Sequence, residues 1–167
     1  MNVLLRATFL IAGIALSACT SPDRFGNGAG GAGAGSGVAG TAQDPSSPLF
    51  FQQTVGDRVL FAVDQSNLTP DSQVVLDGQA EWLSNNPEYT AIIEGHADEQ
   101  GTREYNIALG ARRANAVTEY LSSKGVSSDR MRTISYGKER PLEICSEESC
   151  YSKNRRAVTV ISAVPSS

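Results

Sequence analysis

From Gly26 to Gly40 about half the residues are glycine, and most of the rest are alanine or serine. Such a stretch cannot bury enough apolar surface to offset the entropy lost on ordering it. It divides the chain. Residues 20–48 read as a flexible tether, leaving 49–164 as one folded domain. A glycine-rich coil of that length spans about 30 Å on average and nearly 100 Å when stretched. The last residues, Pro165 to Ser167, are expected to fray.

Ahead of the tether, an apolar run from Ala7 to Ala18 follows Arg6 and the terminal amine. It is shorter than the roughly 20 residues a membrane-spanning helix needs, and it suits the core of a signal peptide, residues 1–18. The run closes on Leu16-Ser17-Ala18-Cys19, which resembles a bacterial lipobox. That resemblance implies a diacylglyceryl thioether on Cys19, usually with an acylated amine. Two or more acyl chains anchor stably where one does not. Residues 19–48 would then be the lipidated cysteine and its tether. Thr20 and Ser21 follow it rather than an aspartate. By resemblance to enteric sorting rules this favours the outer membrane, with the domain facing the periplasm.

The formal net charge is −4. With no basic stripe and no block of like charge, nucleic acid is not an expected partner. Cys145 and Cys150 lie close together in a compartment that permits disulfides, and they are expected to pair. So small a loop would stiffen a turn more than stabilise the fold. Two cysteines without clustered histidines do not make a zinc site.

Within the domain, alternation over Asp57–Val63 predicts a strand. Thr69-Pro70-Asp71 starts a helix that carries Val75, Leu76, Ala80 and Leu83 and stops at Asn85-Asn86-Pro87. A strand over Thr90–Glu94 leads into a polar loop, Gly95–Thr102. A helix from about Glu104 to Lys124 follows, with Ala114, Val117 and Leu121 on one side and Gly125 at its end. Met131–Tyr136 reads as a strand, Gly137–Lys153 as a long connection, and Arg156–Ile161 as a last strand. Val158–Val164 is apolar enough to sit centrally in the sheet. Strands separated by helices argue for an α/β sandwich.

The most polar stretch, Glu94 to Thr102, lies between strand and helix, where α/β folds commonly bind ligands. Its His96 is read as a structural hydrogen-bonder. No Gly-x-Ser-x-Gly elbow accompanies it, and Glu94 with Asp98 is the one carboxylate pair that could suggest glycosidase work. Binding fits better. Asp98 and Arg113 could hold a zwitterion, ammonium against the acid and carboxylate in the arginine fork. Spacing alone leaves the alternative open, an N-capping aspartate and a helix-surface arginine.

Several blocks then resemble the OmpA-like peptidoglycan-binding domain family. They are Glu94-Gly95-His96-Ala97-Asp98-Glu99-Gln100-Gly101-Thr102, Glu104-Tyr105-Asn106-Ile107-Ala108-Leu109-Gly110 and Arg112-Arg113-Ala114-Asn115-Ala116-Val117. Tyr136-Gly137-Lys138-Glu139-Arg140-Pro141 and Lys153-Asn154-Arg155-Arg156-Ala157-Val158 add two more. The resemblance covers about Val55 to Ile161. With the lipobox and tether it points to the lipoprotein branch, and the cysteine pair resembles its alphaproteobacterial members. It implies a β-α-β-α-β-β sandwich, helices packed on one mixed sheet. It implies non-covalent binding of the meso-diaminopimelate residue of the peptidoglycan stem, with no cutting, cofactor or metal.

On that resemblance Asp98 takes the ammonium and Arg113 the carboxylate. Asp64 matches a site acid, Asn106 and Leu109 line the pocket, and Thr102 supports the loop. Arg155 and Arg156 secure the sheet. The chain departs from the family at Ala62 and Val63, where relatives often carry an acid or an aromatic. The implied partners are peptidoglycan, the outer-membrane bilayer through Cys19, TolB as a competitor for the domain, and TolA upstream. The implied role is envelope integrity and cell division.

Overall fold

The structure, a computed structural model, describes residues 40–163. The expected leader, Cys19 and residues 20–39 of the expected tether lie outside the described residues, as do Val164 and the three-residue tail.

The fold assembles around a four-stranded mixed sheet. Its strands are β1 (Arg58–Leu60), β2 (Tyr89–His96), β3 (Met131–Gly137) and β4 (Arg156–Ala163). They lie side by side in the order β1-β4-β2-β3. β4 is antiparallel to both neighbours and pairs with β2 from Tyr89↔Ala163 to Gly95↔Ala157, while β2 and β3 run parallel. Helices α2 (Pro70–Asn85) and α3 (Arg103–Ser123) supply Leu76, Ala80, Leu83, Ala114, Val117 and Leu121 to a core shared with Val59, Ala91, Ile93 and Ala157. The face of the sheet turned away from them leaves Leu60, Ile134 and Val160 partly exposed. The expected α/β architecture, helices packed on one mixed sheet, is the one observed.

Local chemistry explains the helix ends. Thr69 caps α2 by accepting the Ser72 amide at 3.2 Å with Pro70 at the first helical position, and Thr102 caps α3 by accepting the Tyr105 amide at 3.2 Å. Gly125, at φ 100°, follows the end of α3. At the other end of α2, the Arg130 guanidinium ties the carbonyls of Leu83, Asn86 and Tyr89 together at 2.6–2.9 Å. Three carbonyls on one guanidinium fix the turn from α2 into β2.

Three boundaries differ from the sequence reading. β1 ends at Leu60 rather than Val63, because the chain turns out of the sheet there and the Ala62 and Gln65 carbonyls go to a side chain instead of a neighbouring strand. The Gly137–Lys153 connection contains a short helix, α4 (Glu148–Asn154), too brief to show an apolar period. Residues 41–56 are folded onto the domain although the tether was expected to run to Pro48. Ser47 caps a single turn, α1 (Pro48–Phe50), and a π-helical stretch follows at Phe51–Gly56. Phe51 is fully buried with its ring 4.9 Å from that of Trp82, and the Trp82 indole N–H donates to the Pro45 carbonyl at 2.7 Å.

Glycine permits a close approach of α3 to β2. A Cβ on Gly95 would stand 1.8 Å from the Gly110 carbonyl oxygen, so α3 rests on β2 backbone to backbone. Gly95→Ala must push α3 away and is expected to cost about 3 kcal/mol in urea unfolding. Gly78→Ala, in mid-α2 with its nearest neighbour Val55 Cγ1 at 3.5 Å, is expected instead to stabilise by up to about 1 kcal/mol.

Candidate functional site

At the C-terminal end of β2 three segments converge: the turn after β1, the loop from Ala97 to Thr102, and the first turns of α3. They enclose a cleft of about 270 Å³ lined by Val63, Asp64, Asp98, Gln100, Gly101, Tyr105, Asn106 and Leu109. Residues 105, 106 and 109 share one helical face because three- and four-residue steps align along a helix.

Beneath the cleft lies Arg113, fully buried. Its guanidinium donates to the carbonyls of Gln65 at 2.8 Å, His96 at 2.8 Å and Ala62 at 3.1 Å, and it sits 5.2 Å from the centre of the Phe61 ring. Burial pulls its pKa down to about 10, against the opposing pull of the Asp98 and Asp64 carboxylates. Arg113 thus pins the turn after β1 to the end of β2. Part of the turn it holds is unusual, since Asp64 has φ 56°, a left-handed conformation that aspartate tolerates better than most residues.

The carboxylates are held differently. Asp98 is buried; one oxygen accepts the Gln100 amide at 3.2 Å and the other meets Arg155 Nη1 at 3.2 Å. Arg155 also bonds Glu148 of α4 and the Phe61 carbonyl. Asp64 is exposed and accepts the Tyr105 hydroxyl, which raises the tyrosine pKa. Asn106 is buried and donates to the Gln100 carbonyl at 2.7 Å, and Lys138 Nζ reaches the Gly101 carbonyl at 2.8 Å. Two acids lining the cleft can receive an ammonium, and the field of the buried Arg113 behind it favours a carboxylate.

Asp64, Asp98, Asn106 and Leu109 therefore share the cleft. Thr102 does not line it but caps α3 at its rim. Arg113 is placed behind the cleft with three of its N–H groups on main-chain carbonyls. It is not a helix-surface arginine, and Asp98 is not the cap. Val63 gives the cleft an exposed aliphatic wall. The sequence reading missed Tyr105, although its position one turn before Leu109 would have placed it here. It also missed the Asp98–Arg155 pair, whose members are 57 residues apart.

His96 is corrected. Its ring is buried and stacks on Tyr136 with centroids 5.5 Å apart, yet among the described residues neither nitrogen has a hydrogen-bond partner; Glu94 is 3.7 Å away. Glu94 does not line the cleft, so it forms no catalytic pair with Asp98 there. Cys145 and Cys150 are disulfide-bonded.

Comparison with known proteins bears on this geometry. The family model described as "OmpA family" matches residues 60–155. The peptidoglycan-associated lipoprotein of Rhizobium meliloti is 52% identical over 152 residues, covering 91% of this chain and 84% of that protein. The crystal structure of the peptidoglycan-associated lipoprotein from Burkholderia pseudomallei is 37% identical with a TM-score of 0.65, covering 72% of this chain and 98% of that one. The C-terminal domain of Helicobacter pylori MotB, 20% identical with a TM-score of 0.61 over 65% of this chain and 86% of its own, shares the fold.

Two outcomes follow from the buried groups. Arg113→Ala strands three carbonyls and is expected to cost about 3 kcal/mol in urea unfolding, so it tests the fold before it tests binding. His96 is held neutral, its pKa lowered to about 4 by burial and by Arg156 and Arg140. The unfolded chain then binds a proton below the ordinary histidine pKa that the folded chain refuses until about 4. Stability should therefore fall on acidification through that window, by on the order of 1 kcal/mol per pH unit, and His96→Phe should flatten the dependence of the urea midpoint on pH.

Proposed function

The chain belongs to the OmpA family, and from that membership we propose that it is an envelope lipoprotein that binds peptidoglycan, gripping the meso-diaminopimelate residue of the stem peptide. It is a binding protein and not an enzyme. The observation that carries the finer reading is the cleft itself, lined by two carboxylates, with the buried Arg113 guanidinium behind it on the carbonyls of Ala62 and Gln65. Diaminopimelate bears an ammonium and a carboxylate on one carbon. The ammonium goes to Asp98 and Asp64, with Asn106 and Leu109 as walls and Thr102 holding the rim. The carboxylate points inward to the field of Arg113, competing with the Ala62 and Gln65 carbonyls for its N–H groups. Binding on this reading slightly reorganises the turn after β1.

The cleft is small and partly open, so a single grip is modest and salt-sensitive. Lipid on Cys19 at the outer membrane and the domain in the periplasm make the chain a reversible bridge, part of the Tol–Pal system. A modest grip lets TolB compete for the domain, with TolA acting through the Tol complex, in envelope integrity and cell division. Among the described residues no helix is long and apolar enough to cross a membrane.

The test preserves shape and removes charge. Asp98→Asn keeps the shape and one acceptor oxygen but turns an NH2 toward either the Gln100 amide or Arg155, and Asp64→Asn tolerates the left-handed backbone. Each is expected to weaken co-sedimentation with purified sacculi at least about tenfold, in line with losing a charge-assisted contact; Asp64→Asn should do so with little change in the thermal midpoint, whereas Asp98→Asn should also lower it by weakening the pair with Arg155. A lysine-type stem peptide, lacking the second carboxylate, should bind more weakly than a diaminopimelate one in titration calorimetry. Equal binding of both peptides would remove Arg113 from the site, and unchanged sedimentation of both variants would remove the cleft.

A further inference from the structure

The disulfide stands one hydrogen-bonded step behind the cleft. Cys145 and Cys150 are joined with their Cα atoms 5.9 Å apart, and Cys150 is buried in the first turn of α4. Ser146 and Glu148 lie inside the closed ring and Tyr151 follows it directly. Ser146 Oγ and Tyr151 Oη both donate to Glu99 Oε1, at 2.9 and 2.8 Å, and their pull holds the Glu99 carboxyl below its ordinary range. Glu148 bonds Arg155, whose Nη1 meets Asp98 at 3.2 Å. Two consecutive residues of the cleft loop are therefore held from one small ring. The surrounding segment adds little to the core, since Leu142 and Ile144 are 50% and 89% exposed. Its specific contacts go instead to Asp98 and Glu99.

We propose that the Cys145–Cys150 ring is a positioning device for the Asp98–Glu99 edge of the cleft, so that affinity for the wall depends on the state of this disulfide. The proposal rests on the assignment of that cleft as the wall site. Ser146, Glu148 and Tyr151 act through Glu99 and Arg155 and touch no ligand. A dithiol reductant would open the ring by thiol–disulfide exchange: one S–S bond breaks, two electrons and two protons pass to the cysteine sulfurs, and the dithiol closes to its own disulfide. With the ring open, the loop samples other conformations. Apparent affinity then falls by the fraction of time the binding shape is lost. The rest of the domain stays folded because little of the core leans on this segment.

The test measures loop order and binding separately on the full-length chain, oxidised and after dithiothreitol. Reduction should speed amide hydrogen exchange at Asp98–Gly101 by about tenfold and raise the Kd for a diaminopimelate stem peptide by a similar factor, with exchange in α2 and β2 unchanged. The double variant Ser146→Ala, Tyr151→Phe, with its disulfide intact, should reproduce both effects in part and keeps the test valid if reduction unfolds the chain. Unchanged loop exchange in both arms overturns the proposal, as does faster exchange with an unchanged Kd. An oxidised chain that shows no saturable peptide binding overturns the wall-site assignment instead, and loop exchange then decides the positioning role by itself.

Discussion

One cation organises this domain. Arg113 reaches from α3 to carbonyls at the end of β2 and in the turn after β1. Desolvating a guanidinium is costly, and that cost is offset only if the charge finds partners in good geometry. Three carbonyls and the fields of Asp98 and Asp64 supply them. In return the two segments that carry those acids are fixed relative to each other. The backbone of Asp64, held at φ 56°, and the ion pair between Asp98 and Arg155 both belong to the frame Arg113 sets.

Much of the fold could be read from apolar spacing and caps. Thr69-Pro70 and the Asn85-Asn86-Pro87 stop bound α2 as expected, and Gly125 follows the end of α3. The reading lost accuracy where polar residues are buried. Stepping back along α3 from Leu121, Val117 and Ala114 by helical increments leads to Arg113, Gly110 and Asn106, all on the core face. Their positions were legible; their burial was not, because arginine and asparagine are ordinarily solvent residues. Asp64 and Asp98 fell into one cleft as the family resemblance implied, yet the partner of Asp98 comes from the far end of the chain. No local pattern encodes a contact between Asp98 and Arg155, or between Glu99 and Tyr151. The docking of residues 41–48, expected in the tether, was illegible for a related reason: Trp82 advertises a hydrogen-bond donor but not which carbonyl will take it.

The charges around the cleft alternate in rank. Glu148 meets Arg155, Arg155 meets Asp98, and Arg113 lies beneath. A ligand with both charges can extend this series without leaving either acid uncompensated, whereas a simple cation or anion would satisfy only part of it. That is the physical content of recognising an amphoteric residue. On the proposed function, weak single contacts become firm attachment through numbers, because many copies face one wall at high effective concentration. Each grip still opens readily.

The route of the chain also sets how the domain carries load. The described segment approaches from Gly40 and is locked by Pro45 on Trp82, at the end of α2 that precedes β2, while the cleft lies at the opposite end of that strand. Eight strand residues, about 25 Å, separate the two. On the proposed function, tension between membrane and wall would enter through the segment before β1 and leave near Asp64, running along β1 and shearing its three pairs with β4 together. Peeling such a sheet breaks rungs in turn; pulling along it demands that they fail at once, so the cleft should let go of its ligand well before the domain itself tears.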